Sequence, residues 1–296
     1  MNLMKYKNWF FGISLVVLIP GVISLVMFGL KPSIDFTGGS VFEFSFEGAV
    51  KKEEVKEVFV NEGFFVEGIS EISEKRFIVK TKPVDNLKND EIKKKISEKF
   101  EGSSEISFET VGPSIGKEAA KNAFFSVIAA SVGILLYIAY SFRHVPKPYS
   151  SLRFGISAIA ALLHDAFVVI GIFSILGHFA GVEINALFIT ALLTVIGFSV
   201  HDTIVVFDRI RENLDKLKGQ SFNDVVNYSL IETLNRSLRT SLTVIFTLMS
   251  LLVLGGETIR YFVLALLIGI ISGTYSSIFN ASPILVVWEN YASKRR

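Results

Sequence analysis

The chain has no cysteine and a single glutamine, Gln220, among its 296 residues. Without cysteine there is no disulfide framework, no thiolate metal site and no cysteine nucleophile. An excess of one charge is missing too. The 30 basic and 28 acidic side chains leave a net charge of +2, and the basic residues cluster beside apolar stretches rather than in one patch. No nucleic acid or other polyanion is implied as a partner. No A-x-A cleavage site follows the first apolar run, which is also longer than the roughly 7 to 15 residues of a cleavable signal. What is abundant is hydrocarbon. Half of the residues are hydrophobic, 27 are Phe, and the mean hydropathy is +0.50, more than a soluble core of this size can hide. The chain reads as an integral membrane protein.

Charge-free windows place six spans at residues 8–30, 122–142, 154–180, 184–207, 240–256 and 261–288, interrupted only by His164, Asp165, His178, His201 and Asp202. A span needs roughly 20 residues, so the fifth window is the shortest. The first, preceded by Lys5 and Lys7, reads as an uncleaved signal anchor. Arg143, Lys147 and Arg153 lie between spans two and three. Arg209, Arg211, Lys216, Lys218, Arg236 and Arg239 lie between four and five, and the tail ends Lys294-Arg295-Arg296. Loops near Gly181 and Glu257 are nearly free of Lys and Arg, which puts both termini in the cytoplasm. The chain divides into an N-terminus with span one (1–30), an extracytoplasmic domain (31–121) and a five-helix membrane domain (122–296).

Periodicity within the outer segment alternates strand and helix: strand 40–47, helix 50–62, strands 65–73 and 75–82, helix 89–100 and strand 105–111. The order βαββαβ predicts a small α+β domain of ferredoxin-like type, with its acids and lysines on a solvated face. Two glycine corners flank it, Asp35-Phe36-Thr37-Gly38-Gly39-Ser40 on the way in and Val111-Gly112-Pro113-Ser114-Ile115-Gly116 on the way out. Turn chemistry suffices for both, since a phosphate-cradling loop would need a Lys-Ser/Thr and a following helix.

An ionisable group in hydrocarbon costs at least about 2.5 kcal/mol, so Asp165 and Asp202 are functional candidates, with static helix-to-helix contacts as the alternative. At about 1.5 Å per residue, Asp202 lies roughly 9 Å from the cytoplasmic border and Asp165 about 18 Å beyond Arg153, near the midplane. Arg236 and Arg239 open span five at the same end as Asp202, and depth favours Arg239 as its partner. His164-Asp165 and His201-Asp202 do not make metal sites, because adjacent helical side chains point about 100° apart. The Gly269-to-Gly273 step, followed by Thr274, Ser276, Ser277, Asn280 and Pro283, reads as a close helix contact with a polar face and a kink. No covalent chemistry is called for, so the chain is not read as an enzyme. A half-size exporter of lipids or small molecules shares the buried acid but needs a large apolar path. An intramembrane aspartyl protease needs two acids at one depth.

Four motifs in order then carry a resemblance: Asp35 to Ser40, Val111 to Gly116, Leu163-His164-Asp165, and the run from Val195 through His201-Asp202 to Asn213. Together they resemble the SecF side of the SecD/SecF protein-export family. The motif positions are Asp35, Phe36, Thr37, Gly38, Gly39, Gly112, Pro113 and Gly116. The resemblance implies a six-span half of a resistance-nodulation-division (RND) transporter in the bacterial cytoplasmic (inner) membrane. Implied partners are SecD, the SecYEG channel, YajC, YidC, an unfolded secretory polypeptide and membrane lipids. It implies no cofactor beyond a transported proton or sodium ion. It also selects Arg236, in Thr233-Leu234-Asn235-Arg236-Ser237-Leu238, as the companion of Asp202. The family commonly has Asn where this chain has His201, which leaves the part of His201 in the ion path open.

Overall fold

The computed structural model describes residues 2–146 and 148–293. Lys147 and the Lys294-Arg295-Arg296 tail, both used above for orientation, lie outside the described residues. Among those described, six helical stretches are long and apolar enough to cross a membrane: Leu3–Phe28, Pro113–Ser141, Ser151–Ala180, Ala186–Lys216, Phe222–Leu254 and Glu257–Ser293. In chain order the helices are α1 (Lys7–Phe28), α2 (Ile34–Thr37), α3 (Lys52–Asn61), α4 (Asn86–Lys99), α5 (Pro113–Ser141), α6 (Ser151–Ala180), α7 (Ala186–Lys216), α8 (Phe222–Leu254), α9 (Glu257–Ser276) and α10 (Ser282–Ser293). A π-turn, Ser277–Ala281, joins α9 to α10.

Residues Pro32–Phe125 form one compact unit. Its strands β1 (Gly39–Ser45), β2 (Val66–Ser73), β3 (Arg76–Thr81) and β4 (Ser104–Val111) make an antiparallel sheet in the order β2-β3-β1-β4. This is the expected βαββαβ arrangement. Alternation along β1 turns Phe42 and Phe44 into a core shared with Phe59 of α3, Phe77 of β3 and Ile92 and Ile96 of α4. Helix α4 starts three residues earlier than its apolar pattern indicates, because the Asp85 carboxylate accepts from the Lys88 amide at 3.0 Å and caps it.

The two glycine corners meet in one joint. Ser33 caps the single turn α2, after which Gly38 and Gly39 take φ of 76° and 131°, in the region that favours glycine. A Cβ on Gly38 would stand 2.8 Å from the Pro113 Cα, and one on Gly116 would stand 2.7 Å from the Gly38 amide nitrogen. Backbone touches backbone, so neither contact can relax by turning a side chain. Gly116→Val is therefore expected to destabilise this unit by about 1–3 kcal/mol, the usual cost of overpacking. Limited proteolysis and thermal unfolding of the purified chain check it, and an unchanged melting temperature would remove the joint as the reason for both motifs.

In the other unit, α1 lies along α6 with Gly21 against Gly171, where a Cβ on either would come within 3.0 Å of the other's Cα, and Ser24 bonds Ser174 at 2.9 Å. Several spans outrun their apolar windows, α8 by the most. The apolar window 240–256 is only the second half of α8, which begins at Phe222. Charged residues ended the window, but the helix continues because Phe222, Val225, Val226 and Leu230 are buried on one face. Likewise α7 runs on to Lys216 with Ile210 and Leu214 buried.

Candidate functional site

Two glycines of α9 set a close helix approach in the membrane unit. A Cβ on Gly269 would overlap the Val195 side chain at 2.1 Å, and one on Gly273 would meet the Ser199 Cβ at 3.2 Å. The small-residue step thus lets α7 lie directly on α9, bringing Ser199 and Asp202 to the centre of the unit.

Asp165 of α6 is fully buried there. Ser199 donates to its Oδ2 at 2.6 Å and Ser272 to its Oδ1 at 2.7 Å, while Ser276 makes a short bond to Oδ2. His164 Nδ1 stands 3.0 Å from Oδ1, and its Nε2 is buried without a hydrogen-bond partner. Asp202 of α7 is 8% exposed and accepts from Ser237 of α8 at 2.7 Å and from Ser277 of the π-turn at 2.6 Å. Ser276 and Ser277 are adjacent in the chain, so one peptide links the hydroxyls that serve the two acids. The sequence estimate of about 9 Å between the depths of the acids compared helix positions alone. Side chains from both helices converge on this one corner of α9. The polar lining continues through the Thr274–Ser241 bond at 2.7 Å and the Asn280–Ser14 bond at 2.7 Å.

A third buried carboxyl shows what a purely structural acid looks like here. Glu289 of α10 is 5% exposed, ion-paired to Arg153, and accepts from the Ser150 amide at 3.3 Å. Nearby, in the α5–α6 connection, burial and then the Glu289 carboxylate raise the Tyr149 hydroxyl above its ordinary pKa. Asp165 and Asp202 have no Lys or Arg within 4.0 Å among the described residues, and are held almost wholly by hydroxyls.

The arginines are not where pairing would need them. Neither Arg236 nor Arg239 makes an ion pair with a described residue; both side chains are exposed on α8. Arg236 instead lines a cavity of about 160 Å³ between α7 and α8, with Val205, Asp208, Arg209, Glu212, Glu232 and Thr233. Ser237, the next residue, takes the place beside Asp202. His201 is exposed, pointing about 100° around α7 from the acid. The motif residues Asp35, Phe36, Thr37, Gly38, Gly39, Gly112, Pro113 and Gly116 all lie at the joint of the α+β unit. The site therefore unites Asp165 and Asp202 but not Arg236, Arg239 or His201. Sequence reasoning noted Ser276 and Ser277 as a polar face without assigning them, and passed over Ser199, Ser237 and Ser272. Ser199 was findable, because it sits one helical turn before Asp202.

Removing the hydroxyl that touches Asp202 should thus cost more than removing the nearby arginine. Ser237→Ala is expected to lower stability by about 1–3 kcal/mol, since it leaves a buried carboxyl oxygen without its donor. Arg236→Gln, at an exposed position, is expected to stay within about 0.5 kcal/mol. Thermal unfolding in detergent gives the ranking, and the reverse order would restore the direct Asp202–Arg236 pair.

Six spans that close over two buried acids, with no Lys or Arg beside either among the described residues, define a multi-pass membrane protein. Residues 91–291 match the family model described as protein export membrane protein SecD/SecF, C-terminal, and residues 23–50 match the SecD/SecF GG motif. The chain belongs to the SecD/SecF family. It is 49% identical over 302 residues to the protein translocase subunit SecF of Thermobaculum terrenum, covering 98% of this chain and 94% of that protein. To the protein translocase subunit SecDF of Bacillus subtilis it is 36% identical, covering 98% of this chain and 38% of the longer protein. The crystal structure of SecDF, a translocon-associated membrane protein from Thermus thermophilus, superposes with a TM-score of 0.84 at 34% identity. That match covers 98% of this chain and 39% of the solved one. The fold is thus the expected six-span, RND-like half with an α+β domain between its first two spans.

Proposed function

We propose that the chain is the SecF half of an ion-driven machine that promotes protein export through the SecYEG channel in the bacterial inner membrane. The observation that carries this is the pair of buried carboxyls held by serine hydroxyls, with no Lys or Arg beside either among the described residues. Charge left uncompensated in a dry site is costly, and arrival of a proton or a sodium ion from outside relieves it. Relief and return of that cost bias two arrangements of the spans. Each charge crossing the membrane supplies about 2.3 kcal/mol per 100 mV, so a few ions per cycle suffice to move a small domain. The α+β domain, outside with both termini in the cytoplasm, would engage the emerging unfolded polypeptide. The role is transport rather than catalysis.

A second half, SecD, completes the machine. Relatives in which the matching segment is little over a third of one longer chain support this, and so do Arg236 and Arg239, exposed on α8 and outside any ion pair among the described residues. YajC and YidC would associate with the assembled pair. Reconstitution tests the reading. Vesicles holding SecYEG and this chain with SecD should export a secretory substrate faster when an ion gradient is imposed, and lose the gain when the gradient is collapsed or SecD is left out. Equal rates with and without a gradient would overturn it.

A further inference from the structure

We propose that Ser276 and Ser277 are twin hydroxyl switches that make Asp165 and Asp202 two separate, reversible proton sites, so that the chain takes up two protons rather than one. The proposal deepens the ion-driven reading above and rests on it. Each hydroxyl has two acceptors in reach. Ser276 Oγ bonds Asp165 Oδ2 and lies 3.3 Å from the Gly273 carbonyl oxygen. Ser277 Oγ lies 2.6 Å from Asp202 Oδ2 and 3.1 Å from the Thr274 carbonyl oxygen. A serine both donates and accepts, and in a helix it can turn its hydrogen to a carbonyl of the preceding turn. When the acid is ionised, the serine O–H donates to it. When hydronium delivers a proton to the carboxylate and leaves as water, the new carboxylic O–H donates to the serine oxygen, and the serine hydrogen swings to the backbone carbonyl. Both forms are satisfied with no heavy atom displaced, and the reverse step returns the proton to water.

The geometry also selects the ion. The serine and carboxyl oxygens are in direct hydrogen-bond contact, and a sodium ion could enter only by pushing them apart, whereas a proton fits between them. Neighbouring residues near the π-turn project about 100° apart, so the two switches address acids on different helices, α6 and α7. Other charges do not displace this assignment. His164 on α6 faces Asp165, and the charged residues of α8, namely Asp224, Glu232, Arg236 and Arg239, are all exposed. From α9 come hydroxyls alone, α1 has no ionisable residue after Lys7, and Glu289 of α10 is paired with Arg153.

Infrared difference spectroscopy between low and high pH, on the full chain in lipid nanodiscs, reads the C=O stretch of protonated carboxyl groups. Two buried bands are expected, one lost in Asp165→Asn and the other in Asp202→Asn. Ser276→Ala should shift only the first and Ser277→Ala only the second, and Ser276→Thr, which keeps a hydroxyl, should leave the first in place. A single band lost in Asp202→Asn alone, or an Asp165 band indifferent to Ser276→Ala, overturns the proposal. Should Asp165→Asn not fold, the near-isosteric serine variants decide by themselves. Two serine-sensitive bands in a chain whose export ignores the gradient would uphold the switches and overturn the functional reading. Gradient-driven export with one band would do the opposite.

Discussion

The Asp202→Asn variant is expected to insert, fold and join its partners as the unaltered chain does, yet to export no faster with an ion gradient than without one. The amide fits the same two contacts. Its oxygen accepts from Ser237, and its nitrogen donates to Ser277 Oγ, whose hydrogen then turns to the Thr274 carbonyl 3.1 Å away. Stability should therefore stay within about 1 kcal/mol of the parent, in the range of a conservative change that keeps both contacts. What is lost is the ability to change charge. Gradient-driven export should fall to its gradient-free level while the amount of assembled complex is unchanged. Export at the parental rate under a gradient would show that the coupling ion does not need this acid.

Gly269→Leu is expected to be the most destabilising single change in the membrane unit, by about 3 kcal/mol or more, beyond ordinary overpacking. Even the first atom of the new side chain would overlap Val195, at 2.1 Å from a Cγ and 2.8 Å from the Cβ. Turning Val195 does not move its Cβ, so α7 and α9 must separate, and Ser199 and Asp202 travel with α7. Cores tolerate changes that conserve total volume. The milder pair Gly269→Ala with Val195→Ala should therefore regain most of the stability that Gly269→Ala loses alone. Thermal unfolding of the purified protein measures both, and a full-strength melting transition for Gly269→Leu would mean the helices are not locked by this contact.

The features legible in the sequence are those imposed by solvent. Hydrocarbon forbids charge, so the six spans and the two acids inside them stand out. Alternation with a half-buried sheet marks the strands around Phe42 and Phe77 just as plainly. Positive-φ corners demand glycine, which identified Gly38 and Gly39 as a turn but not as one half of a joint with Gly116, because that contact joins segments more than seventy residues apart. Hydroxyls were harder. A serine in a span has the same sequence signature whether it packs, bonds its own backbone or holds a carboxylate, and only the meeting of α6, α7, α8 and α9 distinguishes Ser199, Ser237, Ser272, Ser276 and Ser277 from the rest. The azimuths of the arginines were hidden for a related reason. Depth favoured Arg239 and the resemblance Arg236 as the companion of Asp202, but both are exposed on α8 while Ser237 between them turns in. The start of α8 was hidden because a charge-based window measures where lipid ends, and the helix continues past that border.

The glycine joint has an architectural consequence. Gly39 and Val111 are paired across β1 and β4, so the chain leaves the α+β unit at the place where it came in. A segment whose two ends are side by side behaves as a graft: its size can grow or shrink without changing the gap that the rest of the chain must span. The close backbone packing at Gly38, Pro113 and Gly116 acts as the graft's stem, and it is the part that must be kept while the crown above it is free to diverge.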